Sequence, residues 1–159
     1  MPAEPAGYRL EVSTEKWDAG SFNAPNWRMS TRTRTSFRFR SGRAAADETT
    51  TALPLLIPSY AVDLDEYNLA PARAAFEIGI TGQGQPGYDA GRITSARAWV
   101  SYDGGVTWLP APVSARGPGF AATVDNRPAA GNGVSIRVEL TDDHGAAVTQ
   151  TIMNAYGVR

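Results

Sequence analysis

The sequence predicts an all-β protein folded as an antiparallel β-sandwich. Apolar residues alternate with polar ones at period two along most of the chain. No window sustains an apolar i, i+3, i+4, i+7 stripe for the length of a helix. Turn-forming residues separate the alternating runs at about ten-residue spacing, as expected for a sandwich.

The expected strands, in order, are residues 8–13, 31–40, 74–81, 93–102, 107–114, 120–124, 134–140 and 147–156. In the first, Tyr8, Leu10 and Val12 alternate with Arg9 and Glu11. The second places Thr31, Thr33, Thr35, Phe37 and Phe39 on one face and Arg32, Arg34, Arg38 and Arg40 on the other. The basic stripe invites a polyanion-binding reading, but Glu11 and Glu15 are positioned to pair across to those arginines, which favours an ordinary exposed sheet face. Phe76, Ile78 and Ile80 share a face, as do Phe120, Ala122 and Val124. Val134, Ile136, Val138 and Leu140 face inward, with Ser135, Arg137 and Glu139 outward. Such apolar faces pack across a core about 10 Å thick. Trp99 alternates onto the outer face of its strand, and Phe37 and Phe39 are its expected cover.

Residues 41–51 are rich in alanine and threonine with mixed charge, which reads as a linker. The expected division is therefore a two-strand segment over residues 1–50, a remnant of or bridge from a preceding β domain, and a sandwich over 51–159. Two strands cannot form a core alone, so the alternative is a single domain in which they complete a sheet. Residues 1–10 contain two prolines, a glutamate and no hydrophobic run, unlike a secretory signal. The chain is then either cytosolic as it stands or a piece of a larger polypeptide.

Composition narrows function. With 159 residues and 42% hydrophobic residues, the chain has the size of one globular domain or one plus an appendage. A net charge of −1 and a pI of about 5.8 argue against a nucleic-acid partner, because phosphate neutralisation needs surplus positive charge. Zero cysteines exclude disulfides, thiolate nucleophiles and cysteine-ligated metals. A single histidine excludes a His-pair metal site, and no apolar run approaches a membrane span. Fourteen of the fifteen basic residues are arginine, Lys16 being the exception. No cofactor and no metal are expected.

The strongest local motif is Ser101-Tyr102-Asp103-Gly104-Gly105-Val106-Thr107-Trp108, which matches the Asp-box pattern S-x-D-x-G-x-T-W. Asp-Gly-Gly supplies positive φ for a tight turn, and the Asp103 carboxylate can accept N–H bonds within it. Trp108 can anchor the hairpin. Ser101, Asp103, Gly105, Thr107 and Trp108 are thus expected to be structural, with no catalytic residue among them. Gly82, Gly84 and Gly87 spell G-x-G-x-x-G, but Pro86 intrudes and a strand follows, so no helix opens to cradle a phosphate. His144, in Thr141-Asp142-Asp143-His144-Gly145, reads as part of a short turn. A stand-alone hydrolase would require His144 to be essential, and the chain has no G-x-S-x-G elbow to accompany it. Asp63, Asp65, Glu66 and Asn68 lack the glycine and distal glutamate of a calcium loop and read as a solvated turn. Trp17, Phe22 and Trp27, interspersed with Asp18, Asn23 and Asn26, form the one loop whose composition suits stacking on sugar rings. That loop is the candidate site of an alternative function, a carbohydrate-binding module.

Four stretches together carry a resemblance: Thr35-Ser36-Phe37-Arg38-Phe39-Arg40-Ser41, Leu53-Pro54-Leu55-Leu56 followed by Tyr60, the Asp-box hairpin, and Val134-Ser135-Ile136-Arg137 running to Ala155-Tyr156-Gly157. The chain resembles the C-terminal non-catalytic region of large secreted actinobacterial subtilisin-like serine peptidases. The resemblance implies an immunoglobulin-like or fibronectin type III-like sandwich and an extracellular location. It also implies that the main partner is the upstream protease domain of the same polypeptide, with extracellular protein or glycan as further partners. The family's catalytic aspartate, histidine and serine motifs have no counterpart here.

Overall fold

Alternation at period two becomes eleven strands in a computed structural model that describes residues 4–16, 29–43 and 50–159. They are β1 (Ala6–Glu15), β2 (Arg32–Ser41), β3 (Leu56–Val62), β4 (Leu69–Ala70), β5 (Phe76–Gly84) and β6 (Ile93–Ser101), followed by β7 (Leu109–Ala111), β8 (Val113–Arg116), β9 (Gly119–Val124), β10 (Gly133–Asp142) and β11 (Ala147–Val158). A 3-10 turn over Arg127–Ala129 precedes β10.

The strands form two sheets packed as a sandwich. The larger runs β1-β2-β11-β10-β6-β7, with β4 added parallel to the end of β11. The smaller runs β3-β5-β9-β8. Apart from the β4 contact, the ladders are antiparallel. Between the sheets, Phe76, Ile78, Ile80, Ala122 and Val124 meet Ala98, Val100, Ile136, Val138, Leu140 and Val148 in one apolar cluster. Phe37 and Phe39 belong to that same cluster, because Phe37 lies opposite Val148 in the β2–β11 ladder. The first two strands are therefore members of the larger sheet, and β2 lies in its interior.

The larger sheet extends past the smaller one on the β1 side. Tyr8 stacks on Phe39 with ring centroids 6.0 Å apart, but Leu10 and Val12, on the same inward face, remain 36% and 44% exposed. Trp99 is not covered by Phe37 and Phe39, contrary to the sequence expectation. It sits opposite Arg137 on the outer face, with the Arg97 guanidinium 5.7 Å from its ring centre, while the two phenylalanines point into the core.

One irregularity sets the shape. The β10–β11 register slips between Val134 and Ile136, which oppose Tyr156 and Ile152, leaving extra residues on β11. Asn154 stands at the slip with φ of 50°, and its N–H donates to the buried Ser135 hydroxyl at 3.0 Å. Before this bulge β11 pairs with β2, and after it with β4. Beyond the bulge the Tyr156 hydroxyl donates to the Asn126 side-chain carbonyl at 2.9 Å, joining β11 to the turn before β10.

Ser135→Ala leaves the Asn154 N–H without its acceptor. The expected cost is about 1 kcal/mol of unfolding free energy, measured by urea titration, since a partly buried donor left unpaired forfeits a hydrogen bond.

Candidate functional site

Asp103 shows how the chain spends a carboxylate on its own backbone. At the end of β6 its oxygens accept the Thr107 N–H at 2.9 and 3.0 Å, the Thr107 hydroxyl at 2.5 Å and the Ser101 hydroxyl at 2.7 Å. Ser101 Oγ in turn accepts the Gly105 N–H at 2.8 Å. Gly104 and Gly105 adopt φ of 69° and 87°, and a Cβ on Gly105 would come within 2.7 Å of Met153 Cε. Hydrogen bonds from the Thr107 hydroxyl, the Thr107 N–H and the Ser101 hydroxyl favour the ionised form and hold the Asp103 pKa down to about 2. Ser101, Asp103, Gly105, Thr107 and Trp108 are thus brought together in one turn.

Trp108 closes the turn on the outer face of the larger sheet. Its indole N–H donates to the Gly105 carbonyl at 3.1 Å, and the Arg137 guanidinium lies 4.2 Å from its ring centre.

Asp142 and Asp65 hold turns in the same way. Buried Asp142 accepts the N–H groups of His144 and Ala146 at 3.1 and 2.8 Å and the Tyr88 hydroxyl at 2.6 Å. Desolvation and then this hydrogen bond to a carboxylate push the Tyr88 pKa up. His144 is exposed, its Nε2 3.8 Å from Asp143 Oδ1 and its ring edge-on to Tyr88. Asp65 accepts the N–H groups of Tyr67 and Leu69, both at 2.9 Å, and meets Arg159 Nε at 3.1 Å. Gly82, Gly84 and Gly87 lie at the end of β5 and in the loop after it, and a Cβ on Gly84 would stand 1.9 Å from the Tyr88 carbonyl oxygen. Among the described residues no group of three or more His, Cys, Asp or Glu side chains could hold a metal ion. Trp17, Phe22 and Trp27 lie outside the described residues.

The outer face of the larger sheet is the arrangement that strand-by-strand reading misses. The ladder order β2-β11-β10 places Arg34, Thr151 and Arg137 in one row, and Ser36, Thr149 and Glu139 in the next. Arg137 Nε donates to the Thr151 hydroxyl at 3.3 Å. The expected pairing is met at Arg32, whose guanidinium is 2.7 Å from Glu15. Glu11 instead pairs with Arg9 on its own strand at 2.5 Å, and Arg9 stands directly opposite Arg38. Among the described residues Arg34 and Arg38 form no ion pair. The signal in the sequence was the shared parity of Arg34 and Arg38, to which Arg137 is added only by strand order.

No family model, curated protein or solved structure matches this chain.

Asp103 has a folded pKa of about 2, below the 3.8 of an unperturbed carboxylate, so its stabilisation is complete above 3.8 and is lost as pH falls towards 2. Asp103→Asn should lower the unfolding temperature at neutral pH. Its deficit relative to the parent should shrink across that acid window, as read by calorimetry at stepped pH.

Proposed function

We propose that the chain is a non-catalytic accessory module, an immunoglobulin-like or fibronectin type III-like sandwich from the C-terminal region of a secreted subtilisin-like serine peptidase. The observation that carries the non-catalytic part is the commitment of its candidate carboxylates. Asp65, Asp103 and Asp142 each accept N–H groups of their own turns. A catalytic acid or base instead needs lone pairs directed at a substrate.

Strand order supports the immunoglobulin-like reading. The sequence β3-β5-β9-β8 facing β11-β10-β6-β7 follows the A-B-E-D and G-F-C-C′ arrangement of such sandwiches. On this reading β1 and β2 extend the sheet beyond its usual last strand.

The stretches that carry the peptidase resemblance fall on β2, on the approach to β3, on the turn after β6, and on β10 and β11. All are fold elements, which suits a tail that docks or props the protease domain. The parent would act outside the cell.

The test is on the native gene product. An antibody against this chain should detect a polypeptide well above 17.0 kDa in the medium of expressing cells, labelled by a fluorophosphonate probe for active serine hydrolases. A native product of 17.0 kDa, or a larger one that the probe leaves unlabelled, contradicts the proposal.

A further inference from the structure

The outer face of the larger sheet carries charge that the fold does not use. Arg34 and Arg38 are exposed and unpaired among the described residues, and they lie on an interior strand. Arg137 faces the same shallow concavity, held by the Trp108 ring and by Thr151. Two carboxylates, Glu11 and Glu139, line the concavity as well. Each is paired with an arginine of its own, Arg9 and Arg97, at 2.5 and 2.6 Å. Positive charge is therefore in surplus.

We propose that this face binds an anionic polysaccharide, with Arg34, Arg38 and Arg137 meeting its carboxylate or sulfate groups and Ser36, Thr149 and Thr151 its hydroxyls. The inference does not depend on the peptidase assignment. Three features select the ligand class. The strands bearing these residues are paired on both sides, so an acidic peptide cannot add to them as a strand and would have side chains alone to hold it. Strands lie about 4.8 Å apart and rise about 3.4 Å per residue. That places Arg34 about 10 Å from Arg137 and about 14 Å from Arg38, with hydroxyls between them. Charges interspersed with hydroxyls are the pattern of an acidic sugar chain. Finally, Trp108 and Trp99 each carry an arginine near one ring face, so the surface offers guanidinium groups more than the bare aromatic platforms on which single-stranded nucleic acid stacks.

The test is binding of the full chain to fluorescent polygalacturonate and heparin, which separate carboxylate from sulfate recognition, alongside oligo-dT and polyglutamate of matched charge. At least one polysaccharide should bind more tightly than the other two polymers, and should weaken with added salt. Arg34→Ala combined with Arg38→Ala should reduce that affinity about tenfold or more and flatten its salt dependence. Arg116→Ala combined with Arg127→Ala, equal in charge but on other surfaces, should change it less than about twofold. Both pairs are exposed, and an unchanged unfolding temperature confirms that the fold persists. The proposal is overturned if neither polysaccharide binds, if both double variants lose affinity equally, or if oligo-dT or polyglutamate binds more tightly.

Discussion

Everything in the larger sheet depends on β11 being hydrogen-bonded along both edges. Its first half lies between β10 and β2, and its last residues run beside β4. A straight strand could not serve all three neighbours. The bulge at Asn154, closed by the Ser135 hydroxyl, turns the strand so that its end meets Leu69 and Ala70. Through β11 the early strands reach the common core, where Phe37 and Phe39 are buried against residues contributed more than a hundred positions later. β1 receives less from this arrangement. It pairs with β2 alone and leaves Leu10 and Val12 on an inward face that the smaller sheet does not fully cover.

Polar groups divide by what surrounds them. Carboxylates at the tips of hairpins are tied to the N–H groups of the turns that they organise. Asp103 has its proton affinity lowered by the Thr107 hydroxyl, the Thr107 N–H and the Ser101 hydroxyl. The arginines of the outer face have no comparable duty. Arg137 is held in place by an indole and a threonine, while Arg34 and Arg38 are left to solvent. Exposed cations gathered in one shallow concavity of the sheet are available to a partner. Net charge hides this, since a total of −1 is consistent with a surface on which the two signs are separated.

How much could be read from the sequence follows from how local each determinant is. Strands such as β5, β9 and β10 were legible because one face is buried and the other is wet, which forces alternation. β3 was not, because Pro58 interrupts a nearly continuous apolar run. It is tolerated there because β3 is an edge strand of its sheet. Residues 107–114 read as one strand, but the first two remain in the turn that Asp103 caps, and the rest divides into β7 and the start of β8. The turn itself was legible, since Asp-Gly-Gly and the flanking Ser and Thr specify their own geometry. The arginine face was legible only in part: Arg34 and Arg38 share parity on one strand, but Arg137 becomes their neighbour only through the order β2-β11-β10, which no local pattern encodes.

In this fold β2 belongs to the same cooperative core as β10 and β11. Native-state hydrogen exchange resolves whether β2 opens with those strands or alone. The ladder amides between Thr35 and Phe39 should exchange with the same opening free energy as those between Val138 and Leu140, and both should respond equally to small additions of denaturant. Exchange of the β2 amides through a separate opening of much lower free energy, with β10 and β11 still protected, would show that β2 is an appendage outside that core.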